Sequence, residues 1–329
     1  MIALLRRLTL LLALAPLTGA CADARAPSLQ AALDALAAQA RPGTFGIEVL
    51  DLQTNVTTQV NADRAYPMMS VFKAPVAAAV LDAVQAGRLR LDQQVALTPA
   101  DVVPGAAVPS LGSRLARGPL TVTVDALLTA SVSESDNTAV DALLKLVGGP
   151  RQVTAYLRRK GIQGMRVEID ERSLARRFED LAPGQSVPVG ESRQQHAARL
   201  RRGYAAFLAS SDNTTTLASA IAFLHLLHDG QLLPPAATQK LIALMTHQAL
   251  PNRIRAGLPT GFGYAYKTGT AGGVDGRTGA WNDIGIVTAP DGRTLLVAAF
   301  MTDTRLDQAA RNRLHAALGR AVAQALLHP

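Results

Sequence analysis

Residues 262–302 read FGYAYKTGTAGGVDGRTGAWNDIGIVTAPDGRTLLVAAFMT. Three runs in this stretch have strand character, FGYAYKT (262–268), WNDIGIVTA (281–289) and RTLLVAAFMT (293–302), and Gly- and Pro-bearing turns separate them. Working outward, the other end of the chain offers a matching pair, FGIEVLDL (45–52) and TTQVNA (57–62), around Gln53-Thr54-Asn55. A helix at 28–40 precedes that pair, with Leu29, Leu33 and Leu36 at helical spacing, Ser28 as N-cap and Pro42-Gly43 as the break. Between the two strand regions, Val71 to Asp229 is mostly helical, with segments near 71–87, 122–131, 137–148, 151–160 and 215–229; a last helix spans 306–327. Strands at both ends with helices between them predict an α+β chain of two lobes. An antiparallel sheet flanked by N- and C-terminal helices is drawn from 27–66 and 245–329, and an all-α lobe, 67–244, is inserted. That lobe includes an extended loop at about 166–211, in which 176–211 is irregular and Arg-rich at first and helical from about Arg193. There is no internal repeat or low-complexity tract.

The 329 residues are 48% hydrophobic and 18% charged, enough for a core shared by two lobes, which excludes disorder and coiled coil. Residues 1–22 have the layout of a signal peptide: Arg6 and Arg7, an apolar run from Leu8 to Pro16, and Ala20-Cys21-Ala22 as the small-x-small cleavage site. The run is too short to span a bilayer, so a periplasmic or secreted mature protein without a transmembrane helix is expected. Cys21 is the only cysteine, so no intramolecular disulfide is possible. A lipid anchor at Cys21 is the alternative, because Thr18-Gly19-Ala20-Cys21 half matches a lipobox; the usual Leu is displaced by one position, to Leu17. Loss of Arg6 and Arg7 would lower the formal charge from +8 to +6. The remaining arginines are spread over predicted helices, aromatics make up only 4%, and no nucleic-acid motif is present, so a solvated basic surface is expected rather than a nucleic-acid partner.

Three short motifs carry chemistry. In Ser70-Val71-Phe72-Lys73, a helix starting here would put residues three apart on one face and the Lys73 amine beside the Ser70 hydroxyl. A serine needs a base to become a nucleophile, and a desolvated lysine among other cations can serve. Ser135-Asp136-Asn137 directly precedes the helical run TAVDALLKLVGG and, alone, would read as an N-cap. Lys267-Thr268-Gly269-Thr270 ends a strand, offering a charge for an anionic substrate and, at Gly269, a bare backbone that a substrate can approach closely. Each has a bland reading; all three, once each and in this order, do not.

The set Ser-x-x-Lys, Ser-Asp-Asn, Lys-Thr-Gly is that of class A β-lactamases and penicillin-binding proteins, and the chain resembles a class A serine β-lactamase over nearly all its mature length. The resemblance implies that Ser70 is acylated, that Lys73 and Ser135 relay protons, and that Asn137 holds the substrate's side-chain amide. It also implies that Lys267 and Thr268 receive the substrate carboxylate and that the backbone N–H groups of Ser70 and Thr270 form the oxyanion hole. Lys267 is expected to weaken the hold of Lys73 on its proton by like-charge repulsion. No cofactor or metal is implied, the partner is a small-molecule β-lactam, and a monomer is expected.

Glu171-Arg172-Ser173-Leu174 matches the family's Glu-x-x-Leu pattern for the deacylating carboxylate, with Glu168 and Asp170 as rivals. Two departures follow it: Ala175 replaces the usual Asn, and the stretch to DNTTTLASAIAFL at Asp212 is much longer than usual. That extension is expected at the rim of the active site. An arginine for the substrate carboxylate is expected at Arg253 or, alternatively, Arg277. A D-alanyl-D-alanine carboxypeptidase would lack Glu-x-x-Leu, and a non-hydrolysing β-lactam-binding sensor module is usually tethered by a transmembrane segment. His225 and His228, three apart on a helix, suggest zinc, but no third ligand accompanies them, and no Gly-x-Ser-x-Gly elbow occurs.

Overall fold

The computed structural model describes residues 28–250 and 252–327; the signal-peptide region and Cys21 lie outside the described residues. Ser28 caps α1 (Leu29–Gln39) by accepting the Ala31 amide. Next come β1 (Thr44–Asp51), β2 (Thr57–Val60) and β3 (Ala65–Pro67). A 3₁₀ turn at Met69–Phe72 leads into α2 (Lys73–Gln85). The helical middle comprises β4 (Gln94–Leu97), α3 (Leu111–Leu115), β5 (Leu120–Thr123), α4 (Val124–Val132), α5 (Asn137–Leu146), α6 (Pro150–Arg159), α7 (Glu171–Phe178) and α8 (Arg193–Ala209). It continues through β6 (Thr214–Thr216), α9 (Leu217–His228) and α10 (Pro235–Thr246). The chain then returns to strands, β7 (Gly263–Thr270), β8 (Gly273–Val274), β9 (Arg277–Thr288) and β10 (Thr294–Thr304), and closes on α11 (Gln308–Leu327).

The main sheet runs β2-β1-β10-β9-β7, every pair antiparallel, with β8 added against β9. β1 pairs with β10 from Thr44↔Thr302 to Asp51↔Leu295, so the two chain ends build one sheet. Its central strands are apolar without alternation because helices cover both faces. On β10, Leu296, Ala298 and Phe300 enter the core shared with the helical lobe, while Leu295, Val297, Ala299 and Met301 enter the core under α1 and α11. A helix apolar all round must be buried, and α2 buries ten of its thirteen residues. Lys73 is its first residue, so the same packing takes the lysine out of water.

Several elements depart from the sequence reading. Ser70 lies in the 3₁₀ turn, and the α-helix begins only at Lys73; residues three apart eclipse in a 3₁₀ turn, which keeps both side chains on one side. The pairs β3–β6 and β4–β5 span three and four residues, too short to print a pattern. α10 begins with Pro235 at its first position, a start signal that the sequence did carry.

Candidate active site

The site forms where the 3₁₀ turn, the N-terminus of α5, the N-terminus of α7 and the end of β7 meet. Ser70, Ser135, Asn137, Arg253, Thr268 and Thr270 line one cleft of about 330 Å³. A larger depression of about 580 Å³ between α2, α5 and α6, lined by Asp82, Arg88, Tyr156 and Arg159 among others, includes no serine or lysine.

The turn that bears Ser70 is held from two sides. Met69 has a left-handed backbone, φ +49°, and Asn282 of β9 donates its amide to the Pro67 and Met68 carbonyls at 2.8 and 3.1 Å. A Cβ on Gly269 would stand 2.3 Å from the Met68 carbonyl oxygen. The close approach expected of a substrate at Gly269 is therefore made by the protein's own backbone: glycine lets β7 lie against the turn that presents Ser70.

At α5, Asp136 is indeed the N-cap, accepting the Ala139 amide at 2.8 Å, and its second oxygen accepts the Gly112 amide. Ser135 just before it adopts φ +57°. The Ser135 hydroxyl lies 3.0 Å from Lys267 Nζ and 3.5 Å from Lys73 Nζ. Lys73 Nζ also donates to the Ser135 carbonyl at 2.7 Å and to Asn137 Oδ1 at 2.6 Å, and stands 3.4 Å from Glu171 Oε1. Asn137 donates in turn to the Pro104 carbonyl.

Both lysines are fully buried. Burial is the first cause that pulls Lys73 below the ordinary amine range, opposed by Glu171 and Asp136. Lys267 is pulled well below it, first by burial and then by Lys73 and Arg253. Like-charge repulsion thus acts on Lys267, where it is secondary to burial, and is not among the causes that lower Lys73.

Glu171 opens α7, and its backbone N–H, with that of Arg172, donates to the two oxygens of buried Asp141 at 2.8 and 3.1 Å. Glu171 Oε1 is buried and makes no hydrogen bond. The rivals are engaged elsewhere: Asp170 caps α7 through the Ser173 amide, and Glu168 accepts from Thr154 and faces Arg151.

Arg253, with φ +58°, is buried under the end of the sheet. Its guanidinium donates to the carbonyls of Gly269 and Asn282 and to the Thr270 hydroxyl, and lies 4.0 Å over the Trp281 ring. Burial draws it down to about 10, with Asp283 as the main opposing charge. Arg277 is instead paired with Asp303, which also accepts the Tyr204 hydroxyl, and is not among the cleft-lining residues. None of residues 176–211 is among the cleft-lining residues either; α8 packs on α7, β8 and β9. His225 and His228 both face Asp229 at the end of α9. Among the described residues no three His, Cys, Asp or Glu side chains are grouped to hold a metal.

Sequence reasoning missed Asp141, Asn282 and Asp283. Their signal was a polar residue inside an apolar pattern, Asp in TAVDALL and Asn-Asp in WNDIGIV, because a buried polar group must have a structural partner.

The family profile described as "Beta-lactamase enzyme family" matches residues 28–326. The chain belongs to the class A serine β-lactamases. It is 30% identical over 283 residues to the extended-spectrum β-lactamase PER-1 of Pseudomonas aeruginosa, covering 86% of this chain and 82% of that protein. A β-lactamase structure from Chitinophaga pinensis matches with TM-score 0.76 at 30% identity, covering 91% and 99% of the two chains. The structure of an ancestral Gram-negative class A β-lactamase matches with TM-score 0.73 at 31% identity, covering 91% and 100%. This β-lactamase accordingly hydrolyses β-lactams and shares the family's two-lobed α+β fold. No helix among its described residues is long and apolar enough to cross a membrane.

Proposed function

We propose that hydrolysis runs through an ester on Ser70. Lys73 takes the Ser70 hydroxyl proton, and the oxygen attacks the lactam carbonyl, whose charge is received by the Ser70 and Thr270 backbone N–H groups. As the carbon–nitrogen bond breaks, Ser135 passes a proton to the leaving ring nitrogen. Its position between Lys73 and Lys267 supports that relay. A water held by Glu171 then gives its proton to that carboxylate and attacks the ester; as the ester C–O bond breaks, the proton returns from Glu171 by way of Lys73 to the Ser70 oxygen, restoring the hydroxyl and the free carboxylate. The observation that carries this reading is the convergence on Lys73 Nζ of the Ser135 carbonyl, Asn137 Oδ1 and Glu171. Glu171 Oε1, buried and 3.4 Å from the Lys73 amine, suits an acceptor for a water held beside that amine; Ala175 has no polar side-chain atom to share that task.

Lys267, Thr268, Gly269, Thr270 and Arg253 form the substrate-carboxylate end, and Asn137 offers its remaining amide N–H to the substrate side chain. Lobe boundaries fall at 66/67 and 244/245. The mature chain is a monomer that is periplasmic or secreted after removal of residues 1–22, and it contributes to β-lactam resistance; the Arg6-Arg7 and apolar-run layout supports export. The test is Glu171→Gln mixed with a penicillin. Mass spectrometry should find a persistent single-drug adduct on the Ser70 peptide, whereas full turnover without accumulation would remove Glu171 from the role.

A further inference from the structure

The extension beyond α7 contributes Phe207, with Leu208 packed beside it, to a third, small core. Phe207, in the last turn of α8, is 3% exposed and clusters with Met69, Leu174, Ala271 and Ala280. Each of these neighbours adjoins a working group. Met69 immediately precedes Ser70, Leu174 lies one turn beyond Glu171 on α7, and Ala271 follows Thr270. Ala280 accepts the Ala271 amide at 2.9 Å. One small core that includes this ring therefore joins all three segments that must be in register when water attacks the ester.

The ring is fixed from both sides. It packs against Phe178 at 4.3 Å between centroids with the rings tilted by 31°, and a Cβ on Gly279 would come within 3.0 Å of it. A Cβ on Gly203 would stand 2.2 Å from the Phe178 carbonyl oxygen, so glycine there lets α8 lie directly on the end of α7. Farther out, Arg201 makes a two-pronged pair with Asp275 at 2.6 and 3.2 Å, and Tyr204 donates to Asp303 at 2.9 Å. The base of the excursion is closed by Arg177 against Asp212 and by Asn213, which accepts the Glu168 and Ile169 amides.

We propose that Phe207 is a positioning residue for the hydrolysis of the acyl-enzyme: it acts through Leu174 to set Glu171 against the backbone that flanks Ser70 and Thr270. The inference rests on the Ser70–Glu171 route proposed for this enzyme. Glu171 enters only when water attacks the ester, so a displacement passed through Leu174 falls on that step, while acylation draws on Ser70, Lys73 and Ser135.

Phe207→Ala and Phe207→Leu are to be compared with wild type by steady-state kinetics on a chromogenic cephalosporin and by quenched-flow mass spectrometry. Displacing a positioned group by about 1 Å costs on the order of 100-fold, so kcat of Phe207→Ala should fall roughly 10- to 100-fold. KM should fall with it, kcat/KM should change little, and the acylated fraction should rise. Phe207→Leu should restore most of kcat. An unchanged kcat, or a fall in kcat/KM as large as that in kcat with no acyl-enzyme accumulation, would overturn the proposal. Should Phe207→Ala not fold, Phe178→Leu carries the same reading, with acyl-enzyme accumulation supporting the proposal and its absence refuting it. If wild type itself never forms a Ser70 adduct, the acyl-enzyme route fails; if wild type forms it and Phe207→Ala clears it at the normal rate, only the role of Phe207 fails.

Discussion

Asp141→Asn should make this β-lactamase more stable in alkaline solution while slowing it. Asp141 is buried beneath the start of α7, where its two oxygens accept the Glu171 and Arg172 amides. Burial, the largest cause, raises its carboxyl from 3.8 to about 7. The folded protein thus holds a proton on Asp141 more tightly than the unfolded chain, so stability falls as pH rises from about 4 to about 7 and stays low above that. Each pH unit in that window is worth 1.36 kcal/mol, which makes the cost at pH 8 roughly 4 kcal/mol. Asparagine removes this cost but presents an NH2 group to one of the two amides, leaving a buried donor without an acceptor at about 1–3 kcal/mol. The net effect at pH 8 is a gain of roughly 1–3 kcal/mol, and it should shrink and change sign as the pH approaches 4. Urea melts of both proteins between pH 4.5 and 8.5 measure it. A difference that does not change with pH, or a destabilisation that grows with pH, would refute the reasoning. Turnover should fall throughout, because an amide that fixes Glu171 has lost its acceptor.

Two further outcomes follow from the same geometry. Arg253→Ala removes a charge-assisted donor from the end of the cleft proposed to receive the substrate carboxylate and should raise KM for penicillins roughly 10- to 150-fold, the equivalent of about 1.5–3 kcal/mol; Arg277→Ala, which breaks only the pair with Asp303, should leave KM within about threefold, and the reverse pattern would transfer the role. Gly269→Ala forces a methyl group to within 2.3 Å of the Met68 carbonyl, so β7 and the nucleophile turn must separate. Acylation of Ser70, followed as a pre-steady-state burst, should slow at least about 100-fold, and a normal burst would show that the contact relaxes freely.

The fold was legible because its decisive pattern is coarse. Near-continuous apolar strands at both ends, with helical spacing between them, leave few ways to build a sheet. The three motifs were legible because each residue type is demanded by chemistry. What escaped is tertiary in origin. Nothing local in AYP or TTT marks β3 and β6 as partners. Gly269 was singled out for the approach of a substrate; that the Met68 carbonyl also lies against it is decided by the packing of β7 on the 3₁₀ turn. The extension read as a rim because it follows Glu171 in sequence; α8 instead folds back on the sheet edge, and only the apolar spacing of Phe207 and Tyr204 hinted at a buried face.

Backbone strain and buried charge coincide at this site, and together they locate where the fold's stability is spent. Met69, Ser135 and Arg253 all have left-handed backbones without being glycine, a conformation that costs on the order of 1–3 kcal/mol each. They are, respectively, the residue before Ser70, the hydroxyl between the two lysines, and the cation beside Thr270. Lys73, Lys267 and Arg253 are buried beside them, and so are Glu171, Asp136, Asp141 and Asp283. Asp283, raised to about 7 chiefly by burial, ties strain to charge: its Oδ2 accepts the amide of Ile254, the residue after strained Arg253, and its Oδ1 accepts the Tyr264 hydroxyl. Relaxing any one of the three backbones would swing a polar group out of the cluster and leave its partners buried without it, which costs more than the strain it relieves. The strained conformations persist for that reason, and the same interlock holds Ser70, Ser135 and Lys267 in one geometry before a substrate arrives.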